Sequence, residues 1–598
     1  MKNFLHYYQD ELISLRKKGG AFAKAYPDIA SKIDIRDGES SDPHTERIIE
    51  AVAFMAAKLH QKIDGNSQEI AGHLLSALYP NLVNIFPPCG IARFNTSNTV
   101  LLSEKVTIPK DTRLFATSSS GTECSFKTIY PLDIYPIAIT NISLIQAHTV
   151  TTGGWYIKID IANRSSTSLE SISISDLLFH IDSEIIDDAL LIYSSVFAGR
   201  VATAFLQIGN RKIEIDPGNI VQCGFSADES VCPVPKYSTN VLHLFQEMLY
   251  FKRKFMFFKI LNLNKMLSMA DLTSIAEMSI YVGINLYNNR LHQIVTSDSI
   301  IINAVPVVNL FPVTSDPFRF DGTKTKYLLL ADQSRDSSIE IHSILDVHII
   351  DSATKEDMIM QPYFALSVDT DTNIAHSVFW VSSKDSASVR NLDGHDTYIS
   401  LIDTKMDPFK VYNSVVYAKT LCTNRFETRD IPAHSKMTAG AVETAGYNAE
   451  LLYNISLPVS PTGGSTALWE LVSQLSSSHI SIANASNILP QIRKLIDIFW
   501  AQPSGTGPID NIVDIKISDI VRRFGKDAWR GFVRGREIVI STNEPNGAPL
   551  VYLCCCVFNQ YFSSIVSLNS FVQLKLVSNS SGKIIATWPA TSGRSELL

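Results

Sequence analysis

The chain has 598 residues, 45% hydrophobic and only 19% charged, so burying enough apolar surface is not in question. At roughly 100–200 residues per domain it should form about three to five domains. Its formal charge is −7, from 52 basic and 59 acidic residues with no long Lys/Arg run, which argues against a nucleic-acid partner.

Asp10 and Glu11 fall where a signal peptide needs an apolar stretch, and the expectation is a cytoplasmic protein without a membrane span. The first helix should carry a stripe of Tyr8, Leu12, Leu15, Gly19 and Phe22, in alternating steps of four and three. That period fits burial inside the chain and burial against a partner helix equally well. Gly19-Gly20 either interrupts the helix or admits a close backbone, and Pro27 ends it. Asp42 and Pro43 signal a second helix with Ile48, Val52, Met55, Leu59 and Ile63 on one stripe. A third, with Ile70, Leu74, Leu75 and Leu78, should stop before Pro80.

From about residue 90 to 460 the pattern turns to short strands, with a helix expected near 240–251 and a buried strand at Phe255–Phe258. The stretch from Ser460 to Ser465 reads as a linker, followed by helices near 467–475 and 486–499 and strands near 534–541 and 571–577. Val551 to Leu568 is interrupted by Asn559, Gln560, Ser563, Ser564 and Ser567, so it reads as a buried helix and not a span. The fold class is α+β and multidomain. Its expected parts are a helical region over 1–88, β-rich domains of sandwich or barrel type over 89–300 and 301–460, and an α+β domain over 465–598.

Catalytic and metal patterns fail on spacing. Eight scattered cysteines contain no CxxC, and Cys554-Cys555-Cys556 reads as core packing. Asp369, Asp371 and Asn373 begin like a calcium loop, but Ile374 and Trp380 stand where Gly and Glu are required. His342 and His348 are six apart in a run that reads as strand, yet no third ligand suggests itself. Asp393-Gly394-His395-Asp396 offers an imidazole among carboxylates, and a hairpin tip accounts for it more simply. Gly463-Gly464-Ser465-Thr466 lacks the lysine of a phosphate loop. The expectation is no catalytic, cofactor or metal residue. A ligand- or carbohydrate-binding β-rich protein, or a hydrolase using Asp393, His395 or Asp396, is the competing expectation.

Three blocks in order, YYQDELISLRKKGGAFAKAYPDIA (7–30), DPHTERIIEAVAFMAAKL (42–59) and LLSALYPNLVNIFPP (74–88), resemble the N-terminal signature of the TssF family of type VI secretion baseplate proteins. FQEMLYFKRKFMFFKI (245–260), PVVNLFPVTSDPFRFDG (306–322), LCTNRFETRDIPA (421–433), FVRGREIVI (532–540) and FNQYFSSIVSLNSFVQLKL (558–576) continue the resemblance. It implies a non-enzymatic wedge subunit, similar to wedge proteins of contractile phage tails. Two copies would join one TssG, with TssK and TssE, around the spike hub (VgrG). The baseplate would dock on the cytoplasmic side of the membrane complex. The residues expected to meet partner helices are Tyr8, Leu12, Leu15 and Phe22. Asn309 and the Asn424-Arg425 pair are expected instead to satisfy buried backbone groups at domain junctions.

Overall fold

The structure, a computed structural model, describes residues 4–594 except 31–34, 37–38, 41, 96–104, 149–152, 165–173, 200–202, 210, 235–240, 268–276, 352–354, 364–373, 391, 404–413, 441–447, 461–468, 470, 474–487, 500–508, 524–531 and 544–548. Its contacts separate it into two units, 1–83 with 462–476, and 84–461 with 477–598. Among the described residues, no helix is long and apolar enough to cross a membrane.

The first unit is built on α1 (Phe4–Ala25) and α2 (Pro43–Leu78). Asp42 caps α2 by accepting from the His44 amide at 3.1 Å and from Thr45 Oγ1 at 2.9 Å, with Pro43 in the first turn. The expected second and third helices are one continuous helix of 36 residues, which runs through Gly65. A single interior glycine costs about 1 kcal/mol, too little to break a helix that is cooperative over ten turns. α1 likewise runs uninterrupted through Gly19-Gly20, both half-buried. Arg16 pairs with Glu46 at 2.6 Å, Glu11 meets His60 at 2.7 Å, and the rings of Phe4 and Phe54 meet edge to face at 5.2 Å, so α1 packs against α2.

In the second unit a closed barrel is assembled from distant pieces of sequence. Its strands are β1 (Cys89–Asn95), β2 (Arg113–Thr117), β3 (Glu123–Thr128), β4 (Ala304–Val308), β5 (Lys436–Ala439) and β6 (Asn448–Leu451), joined in the order β4-β1-β6-β5-β2-β3. Phe94, Leu114, Phe126, Val305, Val307, Met437 and Leu451 share the inward face and fill its interior. Two excursions leave this barrel. Between β3 and β4 the chain forms a four-stranded and a five-stranded sheet together with α3 (Ile186–Phe197) and α4 (His243–Tyr250). Between β4 and β5 it forms an eight-stranded sheet with its own core around Val347, Ile399, Val416 and Ala418.

The tail adds α5 (Ile488–Phe499), β7 (Ile512–Arg523), β8 (Phe532–Thr542), α6 (Pro549–Ile565), β9 (Phe571–Ser578) and β10 (Ile584–Thr587). From Val551 to Ser564 every residue of α6 except Gln560 is buried, because α3, α4 and β9 pack around it. Phe245 of α4 meets Phe558 and Tyr561, and Tyr552 stacks on Trp588. Cys554, Cys555 and Cys556 are therefore all buried, and burial pushes the thiols of Cys554 and Cys556 up to about 12. A thiol held protonated packs as a small apolar group.

The barrel is fastened to the eight-stranded sheet by an asparagine pair. Asn309 donates to Ser125 O at 2.7 Å and to Asn424 Oδ1 at 2.8 Å, while the Asn424 amide donates to Asn309 Oδ1 at 2.7 Å. Neighbouring Arg425, in the left-handed region at φ 45°, donates Nε to Ile339 O at 3.0 Å. Asn309→Ala should cost about 2–3 kcal/mol, since it takes the side-chain partner from the Ser125 carbonyl and the buried Asn424 amide and leaves Asn424 Oδ1 with the Ser125 amide. A urea melt that reproduces the parent curve would show the pair to be dispensable.

Candidate partner interface

On α2 the apolar stripe read from the sequence faces solvent. Ile48, Val52, Met55, Leu59 and Ile63 are 42–66% exposed, whereas Ala53 and Ala57 are fully buried. At 100° per residue the two sets lie roughly 140° apart around the helix. The alanine side is small enough for close packing within the unit, and the large side chains are left on the other side. Burying a large aliphatic side chain is worth about 1.5–3 kcal/mol, so a stripe of five is a strong reservoir for association.

On α1, Tyr8, Leu12 and Leu15 are half-buried and Phe22 is 38% exposed. The exposed apolar residues of that segment also include Leu5, Ile13, Tyr26 and Ile29. The structure thus draws attention to α2 beside the α1 candidates, and the signal was available in the steps of four and three along its stripe. Periodicity alone does not say which side of a helix is already occupied. Beside the stripe, the occupied side of α2 is marked by Ala53 and Ala57, small residues that a hydrophobic period does not single out.

Of the residues weighed for chemistry, Asp396 is engaged through its carboxylate, and His395 and Asp393 through their backbone. Asp396 receives Arg390 through both oxygens, from Nε at 2.7 Å and Nη2 at 2.5 Å, and Arg390 Nη1 also donates to Asp336 at 2.6 Å. The His395 amide donates to Glu340 Oε1 at 2.9 Å, at a turn where Gly394 has φ +94° and a Cβ would lie 2.4 Å from Glu340 Oε2. This is a charged clamp at the start of the strand His395–Asp403. A carboxylate spent on a guanidinium makes a poor general base.

His342 and His348 share the strand Glu340–Asp351 but have different surroundings. His342 lies 3.9 Å from Cys232 Sγ, and His348 stacks on Tyr417 with Nδ1 3.1 Å from Asp357. Among the described residues, no three His, Cys, Asp or Glu side chains converge on a metal position. Asp369, Asp371, Asn373 and the Gly463–Thr466 segment lie outside the described residues. A cleft of about 380 Å³ is lined by Arg93, Arg164, Asp182, Asp298 and Glu450 among others, a mixture that favours neither sign of ligand.

Burial pushes the imidazoles of His180 and His342 down from 6.5 to about 3, with Arg253 and Lys384 respectively adding repulsion. Both are neutral in the fold and protonate near pH 6.5 when it opens, so stability present above pH 6.5 is lost as pH falls toward about 3. His342→Gln should flatten this acid loss by up to about 1.4 kcal/mol per pH unit. Urea melts at pH 7, 6 and 5 check it; an unchanged slope would show that His342 does not carry the linkage.

The description "Type VI secretion system, TssF" belongs to a family model that matches residues 1–595. Among curated proteins, the type VI secretion system component TssF1 of Pseudomonas aeruginosa is 22% identical over 617 aligned positions, covering 98% of each chain. Among solved structures, a chain of a type VI secretion TssK-TssF-TssG baseplate subcomplex superposes with a TM-score of 0.72 at 20% identity, over 92% of this chain and 99% of that one. A chain of a type VI secretion baseplate complex superposes with a TM-score of 0.56 at 18% identity over the whole of both.

Proposed function

The chain belongs to the TssF family of the type VI secretion system, and from that membership we propose that it is a structural wedge subunit of the secretion baseplate. The observation that carries the mechanism is the uncovered stripe Ile48–Val52–Met55–Leu59–Ile63 on a helix already packed on its alanine side. Such a helix completes its burial by joining helices of other subunits, as in a bundle whose seam is apolar and whose rim is polar. The partner that would supply those helices is TssG, with Tyr8, Leu12, Leu15 and Phe22 of α1 contributing beside the α2 stripe. TssK would be a further partner, since a chain of similar fold belongs to a solved TssK-TssF-TssG baseplate subcomplex.

The wedge reading extends to two copies of this chain per TssG, to TssE, and to contact with the spike hub (VgrG). The assembled baseplate would sit in the cytoplasm against the membrane complex. In this role the protein carries load between partners and performs no catalysis; it binds neither nucleic acid nor a small-molecule substrate. Engagement of the Asp396 carboxylate by Arg390, and burial of every cysteine among the described residues, support that reading.

Hydrogen exchange tests it. Amides of 43–63 should become strongly protected when TssG is co-expressed, while the barrel strands stay unchanged. Exchange over α2 that is identical with and without TssG would overturn the proposed contact.

A further inference from the structure

The β7–β8 hairpin outruns its sheet. β7 is the edge strand, and β9 pairs with β8 only from Gly535, opposite Phe571, onward. Residues 532–534 and their partners 521–523 therefore extend past the last hydrogen-bonded neighbour. The root is set tightly, because a Cβ on Gly535 would lie 2.5 Å from the Phe571 ring.

Side chains two apart on a strand, and those directly opposite on its partner, share a face. Ile540 and Ile538 on β8, with Ile515 opposite Ile540, are buried on one such face. The same face continues through the Asp519–Arg536 pair to Val521 opposite Arg534, and to Arg523 opposite Phe532. There it leaves the core uncovered, with Phe532 77% and Val521 58% exposed. Among the described residues, no carboxylate pairs with Arg522, Arg523 or Arg534.

We propose that this end of the hairpin docks an acidic protein segment that carries an apolar residue, which lies across Phe532 and Val521 between Arg523 and Arg534. The apolar pair supplies the anchor, and the guanidiniums select carboxylates and speed encounter. Alternate backbone amides and carbonyls of β7 face away from β8, so the segment can be held in extended form along the edge strand. Such a contact is separate from the α2 stripe, and it rests on the chain working within the secretion assembly.

The test places a photo-crosslinking benzoylphenylalanine at position 532 of the full chain, in cells that make the complete secretion system. Adducts should map to one Asp/Glu-rich segment of a partner protein, and their yield should fall at high salt. Arg523→Glu with Arg534→Glu should lower the yield about tenfold, and Asp/Glu→Lys changes in the mapped segment should restore it. A lipid or nucleic-acid adduct, a segment without acidic excess, salt-independent yield or no adduct would each overturn the proposal. Recovery of TssG from the same cells separates failure of the docking surface from failure of the assembly premise. If the charge-reversed chain does not fold, the salt dependence of the parent adduct decides.

Discussion

Lys254→Met should destabilise the barrel-containing unit by about 3–5 kcal/mol, the usual cost of leaving one half of a buried ion pair behind. Lys254 is 0% and Glu247 2% exposed, and the two form a salt bridge across the end of α4. Glu247 also accepts from Ser230 Oγ at 2.9 Å and the Val231 amide at 2.8 Å, and the Lys254 carbonyl accepts from Tyr130 at 3.0 Å. One pair therefore joins α4, the 230–231 turn and the segment after β3. Met fills the space of the lysine stem but leaves the buried Glu247 carboxylate without its cation. Glu247→Gln combined with Lys254→Met should recover most of the loss, because removing both charges removes the desolvation problem with the attraction. The urea midpoint reads the effect; a single variant as stable as the parent would show that the carboxylate finds another partner or solvent.

The second large effect is on assembly. Met55→Asp with Leu59→Asp places two charges in the middle of the α2 stripe, where the parent residues are 66% and 60% exposed. The isolated chain should fold as before, since surface changes of this kind stay within about 0.5 kcal/mol. Capture of TssG should fall by at least about a hundredfold, from the loss of two apolar anchors and the burial of two unpaired charges. Leu12→Asp with Leu15→Asp should also prevent capture, but these residues are half-buried, so that variant loosens the first unit as well. The contrast separates the helices. If the α2 variant captures TssG as the parent does, the stripe is not the seam.

Local signals were the legible ones. Asp42-Pro43 marked the start of α2, Pro80 lay just past its end, and the polar interruptions at Asn559 to Ser564 distinguished a buried helix from a span. Propensity misplaced the break between Ile63 and Ile70, because long-helix cooperativity outweighs one glycine. Closure of the barrel was not legible. Its strands come from 89–128, 304–308 and 436–451, and pairing across two excursions leaves no mark in any short window.

The same contrast holds for the candidate site. The period of Ile48 to Ile63 showed where a stripe exists, while its exposure depends on which side of α2 the first unit occupies. Even spacing placed His342 and His348 on one face, but register shifts at Ile341/Ser343 and Ile344/Asp346 break the simple alternation between them. The Glu247–Lys254 pair stood seven residues apart within FQEMLYFKRKF, a spacing with no meaning until α4 ends and the chain turns back at Lys252–Phe255.

A scaffold role is tested most directly by the native mass of what co-purifies with this chain when TssG is co-expressed. The prediction is one TssG with two copies of the 66.3 kDa chain, lost in the Met55→Asp, Leu59→Asp variant. A well-behaved 66.3 kDa monomer that never captures TssG would contradict it.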